Sequence, residues 1–217
     1  GSIGESDATP AVDFASLARI DDEGQPQPLP RSVGECLRGR KYDAPTPIQA
    51  QSLPLTLSGR DVISVAQTGS GKTMAFLIPL LWGAMQRRKA DRALRGPLAL
   101  VLAPTRELAQ QIQEEARQLA ASFGCKTMAV FGGQRKHLQE RELLTLGARI
   151  DLIVATPGRL TDLARDRTVR LSNVKYLVCD EADRMLDKGF EPQLREIVDM
   201  CSSKPPDGAR QTLMFSA

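Results

Sequence analysis

Six short, almost unbroken apolar runs alternate with longer stretches of helical spacing, and that rhythm leaves the chain few folds to choose from. The runs fall at 61–66, 98–103, 126–131, 151–155, 174–180 and 212–215. Leu98-Ala99-Leu100-Val101-Leu102 shows the type. No polar residue interrupts it, so a strand made from it must be covered on both faces, as strands of a parallel sheet are. Between the runs, 73–86, 106–123, 135–146, 158–165 and 192–201 read as helices. The longest unambiguous one carries Leu108, Ile112, Leu119 and Phe123 along one side. Strand–helix alternation predicts an α/β domain, a mostly parallel central sheet with helices on both faces. Ligands of such sheets sit beyond the carboxyl ends of the strands, so the turn after each strand carries the functional reading.

The first of those turns is Ala66-Gln67-Thr68-Gly69-Ser70-Gly71-Lys72-Thr73, between a strand and a helix. Its glycines let the backbone curl so that N–H groups face a polyphosphate, and the helix N-terminus adds a favourable field. Lys72 reaches the terminal phosphates and the Thr73 hydroxyl suits Mg²⁺. The pattern ordinarily begins with Gly, and here it begins with Ala66. The run at 174–180 ends in Asp180-Glu181-Ala182-Asp183. Asp180 at the strand tip suits Mg²⁺, directly or through water, and Glu181 suits positioning or deprotonating an attacking water. A nucleotide polyphosphate and Mg²⁺ are what this pair of turns implies, with Lys72, Thr73, Asp180 and Glu181 as the catalytic set.

Composition removes other classes. No stretch of 18 apolar residues exists, so no membrane-spanning helix and no membrane partner is expected. Cys36, Cys125, Cys179 and Cys201 are scattered and His137 is the only histidine, which excludes a Cys/His metal site and points to a reducing compartment. The net charge of +3 permits nucleic acid without arguing for it. Residues 1–13 read as a polar, disordered flank, residues 14–60 as a separate region with a proline-bearing loop at 21–30, and 61–217 as the core.

The motifs together resemble the DEAD-box ATP-dependent RNA helicases, over about residues 14–217. Asp180-Glu181-Ala182-Asp183 is the sequence that names that family. Pro45-Thr46-Pro47-Ile48-Gln49 is similar to its Q motif, in which Gln49 reads the adenine edge, with Tyr42 in the aromatic position before it. Pro104-Thr105-Arg106-Glu107-Leu108 resembles motif Ia, Gly132-Gly133 the GG motif and Thr156-Pro157-Gly158-Arg159 motif Ib. Ser216-Ala217 resembles the start of the Ser-Ala-Thr motif III. Within the family, Asp183-Arg184-Met185-Leu186-Asp187 and Gly189-Phe190-Glu191-Pro192-Gln193 look most like the Vasa-like branch.

The resemblance implies a RecA-like P-loop domain, the first of two, that binds ATP and hydrolyses it while gripping RNA by its backbone. Pro104, Thr105, Arg106, Gly132, Gly133, Thr156, Pro157, Gly158 and Arg159 would be the RNA contacts, and sugar–phosphate contacts carry no sequence information. Asp183, Ser216 and Ala217 would couple the two ligands. A second RecA-like domain of the same protein would complete both sites and supply an arginine finger, in the cytoplasm, the nucleus or ribonucleoprotein granules. One departure stands out. The family's adenine-stacking Phe begins a Phe-x-x-Leu pattern about 25 residues before the Q-motif glutamine, where this chain has Gly24. Phe14-Ala15-Ser16-Leu17 fits ten residues early, as if 21–30 held an insertion. Phe14 is then either the stacking ring or an apolar anchor on the core. The basic run Arg87, Arg88, Lys89, Arg92 and Arg95 is either a solvated loop or an added RNA patch.

Overall fold

The computed structural model describes residues 9–20, 25–146, 149–201 and 210–216. Expectations for residues 1–8, for 21–24 and for Ala217 lie outside the described residues. The chain opens with β1 (Ala18–Ile20) and β2 (Pro26–Pro28), then α1 (Arg31–Gly39) and α2 (Pro47–Leu57). The main alternation follows: β3 (Val62–Val65), α3 (Lys72–Ala90), β4 (Ala99–Leu102), α4 (Arg106–Phe123), β5 (Thr127–Val130), α5 (Lys136–Leu146), β6 (Leu152–Ala155) and α6 (Pro157–Arg165). It closes with β7 (Tyr176–Asp180), α7 (Ala182–Asp187), α8 (Glu191–Met200) and β8 (Gln211–Ser216).

All six expected strands form one sheet, in the order β3-β8-β7-β4-β6-β5, and every pairing in it is parallel. The alternation of side chains across a strand explains the unbroken apolar runs. On β4, Ala99 and Val101 face a core shared with Leu53 of α2, Phe76 and Leu80 of α3, and Ile112 and Leu119 of α4. Leu100 and Leu102 face the opposite core, with Leu160 and Leu163 of α6 and Ile197 of α8. The sheet is thus covered on both sides, except at its β3 edge, where Ile63 and Val65 are exposed. Among the described residues no helix is long and apolar enough to cross a membrane.

Two expectations for the N-terminal region change. The flank is not wholly free of the domain: the Ala11 N–H donates to the Ala50 carbonyl of α2 at 2.8 Å. The 21–30 segment is not all loop. Pro26–Pro28 pairs antiparallel with Ala18–Ile20, and the Leu29 N–H donates to the Leu17 carbonyl (3.2 Å) at the base of this hairpin. Proline is tolerated because a two-stranded ribbon has only edges. Helices α1, α2 and α7 were also not among those expected.

The hairpin is tied to the sheet by a buried polar contact. Arg19 Nη2 donates to the Tyr176 hydroxyl at 2.8 Å, and its guanidinium lies 5.2 Å from the centre of that ring. Tyr176, at the start of β7, fits because α3 carries Gly83 opposite it: a Cβ there would stand 2.4 Å from the ring. Gly83→Ala therefore forces Tyr176 off its Arg19 contact. The expected loss is about 1–3 kcal/mol, the usual cost of overpacking a filled core. Urea denaturation measures it, and an unchanged midpoint would show that the ring moves aside freely.

Candidate functional site

The strand order sorts the functional turns into two groups. β3, β8 and β7 are consecutive in the sheet and carry, at their carboxyl ends, the glycine-rich loop, Ser216 and Asp180. β4, β6 and β5 are consecutive in the other half and lead into Thr105, Thr156 and Gly132. Neighbouring strands lie about 4.8 Å apart, so each group spans roughly 10 Å of the same sheet edge.

In the first group the loop after β3 turns on Gly69 (φ 80°) and Gly71 (φ 95°), both in the left-handed region that suits glycine. α3 starts at Lys72, so its leading N–H groups have no partner within the helix and form a positive end. The Lys72 ammonium is buried and donates to the carbonyls of Ala66 (2.5 Å) and Ser216 (3.0 Å). The Ala66 N–H also donates to the Ser216 carbonyl, at 3.1 Å. The last residue of β8 thus fastens the loop at two points.

Gln49, fully buried on α2, reaches the same loop. Its Nε2 donates to the Gly71 carbonyl (2.9 Å), and its Oε1 accepts from the Thr46 N–H (3.0 Å). A Cβ on residue 71 would sit 2.6 Å from that Nε2, so only glycine admits the amide. Phe14 and Tyr42 come together elsewhere. Both line a cavity of about 230 Å³ beside α1, to which neither Gln49 nor the glycine-rich loop contributes. Phe14 is buried in the core and Tyr42 packs against it, with the Arg40 guanidinium 5.4 Å from the tyrosine ring centre.

Asp180 ends β7 and is 4% exposed. Burial pushes its carboxyl up to about 6, against the pull of the Lys72 ammonium and of the Glu181 N–H that donates to it at 3.0 Å. Glu181 has φ 50° and ψ 51°, a left-handed conformation unusual for a side chain this large. That kink turns the chain from strand into α7. The buried Glu181 carboxylate accepts from Arg184 Nη1 at 2.6 Å. On the next turn, the Asp183 carboxyl is held below its ordinary range, chiefly by a hydrogen bond from Ser216.

The second group is held by a polar network. The Thr105 hydroxyl accepts from the Leu108 N–H (3.2 Å), which caps α4. The Arg106 guanidinium lies 5.3 Å from the centre of the Phe131 ring and 3.3 Å from where a Cβ on residue 133 would be. The Gly132 N–H donates to the Thr156 hydroxyl at 3.4 Å. Pro157 opens α6, where its missing N–H costs nothing, and Gly158 follows in the first turn. Arg159 does not stand free: it donates to Gln139 Oε1 (3.0 Å) and the Gln134 carbonyl (2.9 Å). Pro104 joins β4 to this cap.

The DEAD/DEAH box helicase family matches residues 46–217, the stretch that holds both groups. The chain belongs to that family. It is 47% identical over 197 residues to the DEAD-box ATP-dependent RNA helicase 52A of Oryza sativa, covering 86% of this chain and 31% of that one. It is 48% identical over 185 residues to the DEAD-box ATP-dependent RNA helicase 24 of Arabidopsis thaliana, covering 85% of this chain and 23% of the relative. The chain thus spans about a third of its relatives' length or less. Among solved structures, the RNA helicase Prp28 of Chaetomium thermophilum bound to ADP superposes with a TM-score of 0.73 at 42% identity, over 93% of this chain and 45% of that one. A hypothetical ATP-dependent RNA helicase from Sulfolobus tokodaii superposes equally well (TM-score 0.73) at 32% identity, over 86% of this chain and 50% of that one.

Within this helicase-family domain, one supporting residue, Gln139, had no sequence signal. Gln139, 3% exposed, bonds the Phe131 carbonyl (3.0 Å), Gln134 (3.1 Å) and Arg159, a role that depends on α5 and α6 meeting in space. Arg184 was legible in principle, three residues after Glu181 on a helix. A divalent cation fits the first group. Asp180 is a buried carboxylate whose charge is poorly solvated, and the half-buried Thr73 offers a hydroxyl in the first turn of α3.

The buried acid has a stability consequence. Unfolded aspartate loses its proton near about pH 3.9, whereas folded Asp180 keeps it to about 6, so the folded chain binds more protons in that window. Stability therefore falls as pH rises through it and is flat above. In magnesium-free buffer, the melting temperature of Asp180→Asn should gain on the parent between about pH 4 and pH 6 and keep its advantage above. A variant with no advantage at neutral pH would show that the carboxylate is fully compensated.

Proposed function

We propose that this chain is the first RecA-like half of a DEAD-box ATP-dependent RNA helicase. The whole protein couples ATP binding and hydrolysis to sequence-independent RNA binding and local duplex opening. The observation that supports the reading is the strand order, which sets the glycine-rich loop, Ser216 and Asp180 side by side and the turns of Thr105, Thr156 and Gly132 along the same sheet edge. The relatives' names, which are those of ATP-dependent RNA helicases, agree with it.

Lys72 neutralises the terminal phosphates while the N–H groups at the start of α3 hold their oxygens. Thr73 and Asp180 hold Mg²⁺, which supplies charge neutralisation at the phosphates when bound. Glu181 orients the attacking water and accepts its proton, and Arg184 fixes the carboxylate for that task. Gln49 can read adenine with its second N–H and remaining lone pair, since the first of each already serve Gly71 and Thr46. Thr105, Arg106, Gly133 and Gly158 meet the RNA backbone. Asp183 and Ser216 pass the state of one ligand to the other. A second domain supplies the arginine finger and the other wall of the RNA cleft. The Asp183–Asp187 and Gly189–Gln193 runs favour the Vasa-like branch as the protein's subgroup, and the scattered free cysteines favour a reducing compartment: the cytoplasm, the nucleus or a ribonucleoprotein granule.

In the full-length protein, Glu181→Gln should leave nucleotide and RNA affinity near wild type and slow phosphate release by about 100-fold or more. Rapid turnover in steady-state assays with RNA would remove Glu181 from the chemistry.

Phe14→Ala distinguishes a stacking ring from a core anchor. Calorimetry should find ATP weakened by about 1–3 kcal/mol, as for other base–aromatic stacks, and inorganic triphosphate unaffected. Equal losses for both ligands would make Phe14 an anchor alone.

A further inference from the structure

The basic run left without a role does not form one loop. Arg87, Arg88 and Lys89 belong to the last turn of α3, and Arg88 is an internal staple. It donates to Asp151 Oδ1 (2.9 Å) and to the carbonyls of Leu94, Gly96 and Ile150. The segment after α3 is thereby folded back over the amino ends of β5 and β6. It encloses a cavity of about 470 Å³, within the size range of binding pockets of roughly 300–1,000 Å³.

The wall and the floor of this cavity differ. Lys89, Arg92, Arg95, Lys126 and Arg149 stand exposed around it. Among the described residues none of these five side chains has an ion-pair partner. The one carboxylate in the lining, Asp151, is buried and already spent on Arg88 and the Lys126 N–H (2.8 Å). Asp91 turns instead to the Ala93 N–H, at 2.8 Å. The floor is apolar: Met85, Leu94, Phe123 and Cys125. The Cys125 thiol, turned to the Leu81 carbonyl, is pushed up to about 12 by burial and stays neutral. Five unpaired cations around one apolar hollow repel one another, and a ligand that is anionic outside and apolar at its centre relieves that repulsion.

We propose that this pocket docks an acidic peptide segment of a partner protein, one apolar side chain of which fills the hollow. A nucleic-acid strand fits less well. The backbone-gripping turns lie at the carboxyl ends of β4, β5 and β6, whereas Lys126 and Asp151 precede β5 and β6. Four residues of strand put about 13 Å of sheet between the two places. A polynucleotide presents its charge along a line and has no aliphatic group to seat in a closed floor. Docking here leaves the nucleotide and RNA groups uncovered, so a partner can tether the protein without competing for either ligand.

The test is fluorescence anisotropy of this chain with a degenerate library of short Glu- and Asp-rich peptides bearing a central Leu, Met, Phe or Trp. Library members with the apolar residue should bind saturably and weaken with salt. Affinity should fall by at least about tenfold in Arg92→Glu/Arg95→Glu/Lys126→Glu, with ATP affinity unchanged. The corresponding triple glutamine variant should lose part of that affinity, and it keeps the test intact should the glutamate variant fold poorly. Leu94→Asp should abolish the preference for an apolar centre. Absence of saturable binding by any library member overturns the proposal, as does binding that ignores the triple substitution. Oligouridine or inositol hexaphosphate displacing the peptides, with no preference for an apolar centre, also overturns it and leaves a simple polyanion site.

Discussion

The pairing of β8 between β3 and β7 is the constraint on which the site depends. It makes the two turns with opposite charge, one offering Lys72 and backbone N–H groups and the other offering carboxylates, near neighbours across a single strand. It also puts the Ser216 carbonyl where both Lys72 and the Ala66 N–H reach it, and the Ser216 hydroxyl where it donates to Asp183. One residue thus touches the glycine-rich loop through its backbone and the acidic turn through its side chain. A change of register in β8 by one residue would turn that side chain to the other face and break both contacts together.

The domain keeps strain and charge at this place that a purely structural sheet edge would not hold. Asp180 is an acid buried beside the Lys72 ammonium, and Glu181 adopts a left-handed backbone without being glycine. Such features persist only where the surroundings over-determine them. Here the surroundings are two filled cores, one on each face, that lock β7 from Tyr176 to Asp180. The far end of the same strand is clamped by Gly83 and by Arg19 of the N-terminal hairpin. Rigidity at the amino end of β7 supports the strained turn at its carboxyl end.

The other half of the sheet edge is organised by amides and guanidinium groups instead of buried charge. Arg159, Gln139 and Gln134 tie α6 and α5 to the loop after β5, and the Thr156 hydroxyl receives the Gly132 N–H across that loop. These contacts fix the turn after β5 against the turn after β6.

The sequence alone determined the strands, most helices of the core and which residues each turn carries. Apolar periodicity, glycine placement and the order of short motifs are local properties, written in neighbouring residues. It left α1 and α2 unseen: Leu53 and Val33 are buried in them, but Pro54 within α2 and the prolines before α1 mask the periodicity. The tertiary structure decided what depends on residues far apart in the chain. It turned part of 21–30 into a hairpin, because Leu17 and Leu29 can close a ladder only when both rest on the same core. It took Arg88 and Arg159 out of the pool of free cations, through partners 63 and 20 residues away. Above all it chose the strand order. No local pattern says which strands lie side by side, since every apolar run here fits either neighbour; packing of helices on both faces settles that only once the whole chain has folded.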